Sequence, residues 1–331
     1  SPRRLILPLM NEPNFSPPLS LRLDPSEIVP SCLAGAPRGL LDERMEGLDD
    51  EEGLQVPAGL PPVIDAHVHL FPDPVFDALW RWFDAHGWPI RYPLRSPEII
   101  EFMLDRGVEQ IVGLHYAHKP GIADSLNEYM AGLCRRYPQV LGSATVFPGE
   151  PDAPQILERG FARGLGAVKL HCHVQCFSVD APELRPLYQV CVAHDRPVVI
   201  HAGREPKSQA YACDTYEVCD VDRVVRVLEE FPDLKLVVPH LGADEFADYA
   251  ELTHRFDNLW LDTTMMLSDF FGVGELDHVD AVRRDRIIYG TDFPNIPYAW
   301  DRELKWLADC GWEPERMQTI CADNARRLYG L

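Results

Sequence analysis

From residue 62 onward, short runs rich in Val and Ile alternate with stretches of helical period. The runs are 62–70, 109–116, 140–147, 165–173, 197–202, 234–241, 258–264 and 286–293. Each has the length and near-continuous apolar character of a strand buried on both faces. The stretches between them predict helices over 97–106, 121–136, 152–163, 183–195, 219–230, 244–256 and 275–284, with closing helical pieces at 300–309 and 314–329. Ser96-Pro97 and Pro182 suit helix starts, because proline has no N–H to lose in a first turn. Eight strand–helix units over roughly 270 residues predict an α/β fold, a (β/α)8 barrel. An open, doubly wound sheet is the alternative. No glycine-rich phosphate fingerprint follows the first run, and Gly272-Val273-Gly274 is only a fragment in a late loop, which lowers that alternative.

Residues 1–60 follow another pattern. Eleven of the 30 prolines fall within the first 62 residues, and Asp49-Asp50-Glu51-Glu52 sits in a stretch without clear periodicity. This reads as an irregular N-terminal extension, 1–60, ahead of a catalytic barrel, 61–331. Leu5-Ile6-Leu7 and Ile28-Val29 are the candidate anchors by which it wraps the barrel or a neighbouring subunit. A loose tail is the equal alternative.

The polar residues that interrupt the apolar runs carry the chemistry. Side chains alternate along a strand, so parity sorts them by face. Val68 and Leu70 face the helices, which turns Asp65, His67 and His69 to the barrel axis. In the fourth run Lys169, His171 and His173 face in, and in the fifth His201 does. His240 ends the sixth run on the parity of Val238, and Asp292 shares parity with Gly290 and Ile288. All lie near the C-terminal ends of their strands, the rim on which barrel active sites are built. His67, His69, Lys169, His201, His240 and Asp292 therefore converge from five strands. Imidazole and carboxylate suit Zn²⁺ and related divalent ions. Any one of these histidines alone is better read as a hydrogen-bonded core group. It is their joint position that points to a metal.

Composition narrows the function. Lys and Arg total 31 against 52 Asp and Glu, a net charge of −21, which argues against nucleic acid or an anionic membrane surface as partner. The nine cysteines include no Cys-x-x-Cys and read as reduced thiols of a cytoplasmic protein. Cys172 and Cys176, although beside His171 and His173, are read as buried thiols and not as ligands. No run approaches the ~20 apolar residues of a membrane helix.

The chain from Val63 to Leu331 resembles the metal-dependent amidohydrolase superfamily, and within it the amidohydrolase 2 branch of barrel hydrolases and related decarboxylases. The motifs are Ile64-Asp65-Ala66-His67-Val68-His69, Gly166-Ala167-Val168-Lys169-Leu170-His171, Val199-Ile200-His201-Ala202-Gly203, Pro239-His240-Leu241-Gly242, Tyr289-Gly290-Thr291-Asp292-Phe293-Pro294 and Asp323-Asn324-Ala325-Arg326-Arg327-Leu328. The resemblance implies that His67 and His69 bind a first metal with Asp292, and that His201 is a further ligand. It implies that His240 is a second-site ligand or polarises the substrate. Lys169 stands where some members carry a carboxylated lysine bridging two metals. Zn²⁺ is the expected ion, one per chain being placed ahead of two. Asp292 is expected to move the proton of a metal-bound water and His240 to stabilise the oxyanion. His171 is expected at the substrate or behind a ligand.

The loops should set the substrate, a small molecule. Phe71, Phe76, Trp80, Trp82, Phe83, Trp88 and Tyr92 lie in the stretch after the first strand, read as a loop forming an aromatic lid or a packed rim. Arg204, Lys207 and Tyr211 follow His201; Arg204 is a candidate receptor for a substrate carboxylate. The leading expectation is hydrolysis of an amide, ester or lactone. The alternative is non-oxidative decarboxylation of an aromatic or unsaturated acid. A non-catalytic scaffold ranks third, and a homo-oligomer is left open.

Overall fold

The computed structural model describes residues 45–204, 210–270 and 276–331. Lys207, the 1–44 portion of the extension and Gly272-Val273-Gly274 lie outside the described residues. The eight strands are β1 (Val63–His69), β2 (Val108–Leu114), β3 (Val140–Ala144), β4 (Ala167–His171), β5 (Val198–His201), β6 (Leu236–Val238), β7 (Leu259–Asp262) and β8 (Ile287–Ile288). They are parallel and ordered sequentially from β1 to β8. The principal helices are α1 (Asp73–His86), α2 (Ser96–Asp105), α3 (Ala123–Arg136), α4 (Ala153–Ala162), α5 (Cys172–Gln175), α6 (Arg185–Ala193), α7 (Thr215–Val218), α8 (Val221–Glu230), α9 (Phe246–Arg255), α10 (Arg302–Asp309), α11 (Pro314–Gln318) and α12 (Asn324–Tyr329). This is the expected (β/α)8 barrel.

Two apolar shells hold it. Val63, Val68, Leu70, Val168, Leu170, Val198 and Ile200 pack outward against the helices. Ile64, Ala66, Val112, Leu114, Ala167, Val199, Val237 and Ile288 fill the barrel, and Ala325, Leu328 and Tyr329 of α12 join them. α12 closes the N-terminal end of the barrel: Arg326 pairs with Glu109 at the start of β2, 2.7 Å away. Helix starts follow local chemistry. Asp214 and Asp220 accept hydrogen bonds from the Tyr216 and Asp222 amides, capping α7 and α8, which satisfies donors that a first turn leaves bare.

Three sequence expectations change. First, the aromatic stretch after β1 is largely the helix α1 and not a loop; Pro74 sits in its first turn. Second, strict alternation fails in β1, where the register shifts between Asp65 and Val68. The extra residue puts Ile64 and Ala66 inside the barrel, yet still sends His67 and His69 to the site. Asp65 instead binds the Thr291 hydroxyl at 2.6 Å. Third, the single closing helix of 314–329 is α11 and α12 joined by a π-helical turn, Thr319–Asp323.

The β8–β1 seam is short. An isolated bridge joins Val68 to Phe293. Around it run three bonds: Ala66 N to Tyr289 O (3.0 Å), Asp292 N to His67 O (2.9 Å) and His69 N to Phe293 O (2.8 Å). Residues 45–60 form no helix or strand; 48–53 lie against this part of the rim, Val56 bonds to Arg106 before β2, and Met45, Leu48, Val56 and Leu60 pack on the core.

Candidate metal centre

His67 and His69 leave the end of β1, and Asp292 follows β8 across the seam. Their ligand atoms lie within 4.8 Å of one another; His67 and His69 are buried, and the Asp292 side chain is 13% exposed. Asp292 Oδ1 is 2.7 Å from His69 Nε2 and 3.3 Å from His67 Nε2. A positive φ of 74° at Asp292 turns its side chain out of the strand course and into the site. Gly290 permits the approach: a Cβ there would stand 2.8 Å from His67 Cβ and from Thr264 Oγ1.

Asp262, the last residue of β7, accepts the His67 Nδ1–H at 2.8 Å. That bond fixes the tautomer, so Nε2 carries the lone pair and faces Asp292. Two acceptors 3.3 Å apart in a buried site repel unless a cation lies between them. Burial, and then the Lys169 charge, hold His67 well below its usual pKa, so it is the neutral, ligating form. Burial pushes the Asp292 carboxyl up, but His69, His67 and His240 outweigh it and bring it down to about 2. The neutral His67 imidazole, the His69 ring and one ionised carboxylate fit a divalent cation. The donor set therefore passes the test of chemistry, and Asp262 supplies the orienting partner that such ligands need.

The other expected residues divide. Lys169 is fully buried, its Nζ 3.4 Å from His67 Nε2. His201 and His240 do not join the three converging donors but form a second group. His201 stacks on His171 at 4.1 Å and meets His240 and His173 at 4.7 Å each. His240 holds Thr264 O through Nδ1 at 3.0 Å, and its ring lies 6.0 Å from that of His67. Parity had put His240 with the outward Val238; its φ of 56° reverses that direction. Tyr211 lies 5.4 Å from the Trp82 ring of α1 and 5.3 Å from His173, so the two expected substrate contacts form one aromatic wall. Arg204 is engaged elsewhere: its Nε is 3.3 Å from Asp244 Oδ1, and its guanidinium lies over Tyr216 at 4.4 Å. Cys172 and Cys176 are buried free thiols.

Two site residues escaped the sequence reading. Asp262 was legible by parity, since it shares the face of the inward Trp260. Tyr116, just past β2, meets His171 at 4.9 Å and His69 at 6.0 Å, edge to face. It ended an apolar run and carried no separate signal.

Residues 64–331 match the family model described as amidohydrolase, and the chain belongs to that family. No curated protein matches it. Among solved structures it is similar to an uncharacterised TIM-barrel protein of Bordetella bronchiseptica, at 22% identity over 82% of this chain and 99% of that one, with a TM-score of 0.60. It is also similar to 5-carboxyvanillate decarboxylase of Novosphingobium aromaticivorans, solved with manganese and 4-hydroxy-3-methoxy-5-nitrobenzoic acid, at 16% identity over 86% and 100% of the two chains, TM-score 0.60. A third likeness is to 2,6-dihydroxybenzoate decarboxylase of Rhizobium, at 18% identity over 81% and 98%, TM-score 0.59. No helix among the described residues is long and apolar enough to cross a membrane.

Proposed function

We propose that the chain is a metal-dependent, non-oxidative decarboxylase of a small aromatic carboxylic acid. The observation that carries this reading is one rim holding both the His67–His69–Asp292 donors and an aromatic wall of Trp82, Tyr211 and Tyr116 beside the histidines. The names of the similar structures support it: two are decarboxylases of hydroxylated benzoates, and one was solved with manganese. This reverses the order expected from sequence, where hydrolysis stood first, and places Mn²⁺ ahead of Zn²⁺.

When bound by His67, His69 and Asp292, a divalent ion supplies the positive charge that receives the substrate's oxygens. Asp262 holds the His67 ring in the ligating tautomer. Trp82 and Tyr211 receive the flat ring, and the His240 imidazole meets a polar substituent. Asp292, ionised at rest, engages the two imidazoles through Oδ1, and Oδ2 relays a solvent proton during the step. Delivered to the ring carbon bearing the carboxylate, that proton allows the C–C bond to break. The bonding pair restores the ring and CO₂ departs.

The test uses Mn²⁺-loaded protein with hydroxylated benzoates in D₂O, and with esters, amides and lactones in ¹⁸O-water. The expected result is CO₂ release with one deuterium at the vacated carbon. Asp292→Asn should cut that rate by about 100-fold or more. Incorporation of ¹⁸O into an acid product, with no CO₂ from any acid, would return the function to hydrolysis.

A further inference from the structure

The donors of the candidate centre come from the two strands that meet at the shortest seam of the barrel. His67 and His69 lie on one side of it and Asp292 on the other. Above the seam, the α1–α2 connection and the loop after β8 are joined by a third segment, residues 45–53.

Leu48 donates its N–H to Pro297 O at 2.8 Å. Asp50 Oδ1 accepts from Ala299 N and from Arg91 Nη1, each at 3.1 Å, and Oδ2 accepts from Arg302 Nη1 at 3.2 Å. Arg91 also donates to Leu48 O at 3.1 Å and Asp50 O at 2.8 Å. The Tyr92 hydroxyl donates to Glu52 and accepts from Trp300 N. Gly53 donates to Asp301 Oδ2 at 2.8 Å and accepts from Trp300 Nε1 at 2.9 Å. Arg91 and Tyr92 belong to the β1 side, and residues 297–302 to the β8 side. A single carboxylate, Asp50, thus ties both sides through charge-assisted bonds.

We infer that residues 45–53 are a strap that positions the metal centre, with Asp50 as its central positioning residue. The strap holds the loop after Asp292 against the α1–α2 connection, on the β1 side of the seam, and so sets the separation of the donors. An acidic run that reads as part of an irregular extension is then part of the site's scaffold. The inference rests on the proposed metal site for its functional meaning, but its mechanical content does not.

The experiment compares Asp50→Ala, the milder Asp50→Asn and a distant control, Asp124→Ala, in the full chain. Asp124 pairs with Arg159 and Arg163 on the α3–α4 side of the barrel, away from the seam. Two quantities are read well below the melting temperature: Mn²⁺ affinity by titration calorimetry, and exchange of the Asp292 and His69 amides by NMR without metal. In Asp50→Ala, Mn²⁺ should bind about tenfold or more weakly, and the two seam amides should exchange about tenfold faster. Amides of β4 and β5 should be unchanged. Asp50→Asn, which keeps one acceptor oxygen, should fall between, and Asp124→Ala should alter neither reading. Unchanged seam exchange in both Asp50 variants overturns the strap, whether or not metal binds. Faster exchange with unchanged Mn²⁺ affinity overturns its role at the centre. A wild-type chain that binds no Mn²⁺ overturns the proposed function instead, and exchange still decides the strap.

Discussion

His67 has both ring nitrogens committed, Nδ1 to Asp262 at 2.8 Å and Nε2 to the converging donors. Removing the carboxylate frees the ring to rotate and the tautomer to change. Asp262→Ala should therefore weaken Mn²⁺ binding by roughly 10- to 100-fold, measured by calorimetry, while the fold by circular dichroism stays intact. An unaltered affinity would mean that Asp262 does not orient the ligand. The residues legible from sequence were those whose strand parity survives in three dimensions. Lys169, His171 and His201 alternate with Val168, Leu170 and Ile200, which pack outward. Asp292 likewise keeps the inward parity of Ile288, and its positive φ aims the side chain. His240 is different. It lies on the parity of the outward Val238, and a left-handed φ, which alternation cannot foresee, reverses its direction.

The short turn after β6 shows the same limit for a whole element. Sequence extends the sixth run to residue 241, but β6 ends at Val238 and His240–Gly242 form a 3-10 turn. Gly242 has a φ of +86°, and a Cβ there would stand 2.1 Å from the Tyr249 ring of α9. Both strain and overlap oppose any side chain. Gly242→Ala should cost about 2 kcal/mol or more, read from urea denaturation. It should also lower activity, because the displaced turn carries His240. A variant as stable and active as the wild type would show that the turn tolerates displacement. The α1 segment taught the opposite lesson. Its helical spacing was present in Phe76, Trp80 and Phe83, and Phe76 is buried while Trp80 and Phe83 pack on the core. Its placement after a metal-bearing strand drew the loop reading instead.

Across the whole molecule, the eight strand positions and most helix spans were legible because each apolar run is buried on both faces. The docking of residues 45–60 was not, since it uses backbone atoms and charged pairs that leave no periodic trace. The acidic surface has its own consequence for stability. Burial raises the Asp124, Asp180 and Asp285 carboxyls, but paired arginines outweigh it and hold each below its usual 3.8. A depressed folded pKa means that the unfolded chain binds protons first as pH falls. The stabilisation is present above ~4 and drains away below it. Melting temperature should therefore drop as pH falls below about 4, and Asp180→Asn should make that drop shallower. Equal slopes for the variant and the wild type would remove Asp180 from the account. Such exposed pairs are weak singly, so the effect per residue should be small.

The strap also bears on the order in which the molecule can be completed. Asp50 meets Ala299 and Arg302 across 249 and 252 positions of chain, and the Glu51 carbonyl meets Lys305 across 254. Contacts between residues so distant along the chain close only after the intervening polypeptide is in place, and they weigh against rapid folding. During synthesis the strap emerges early and its partners emerge last. Asp292 itself is among the late arrivals, 223 positions from His69. A nascent chain thus holds two of its three donors, His67 and His69, without Asp292 or the clamp, and ion capture would mark finished biosynthesis.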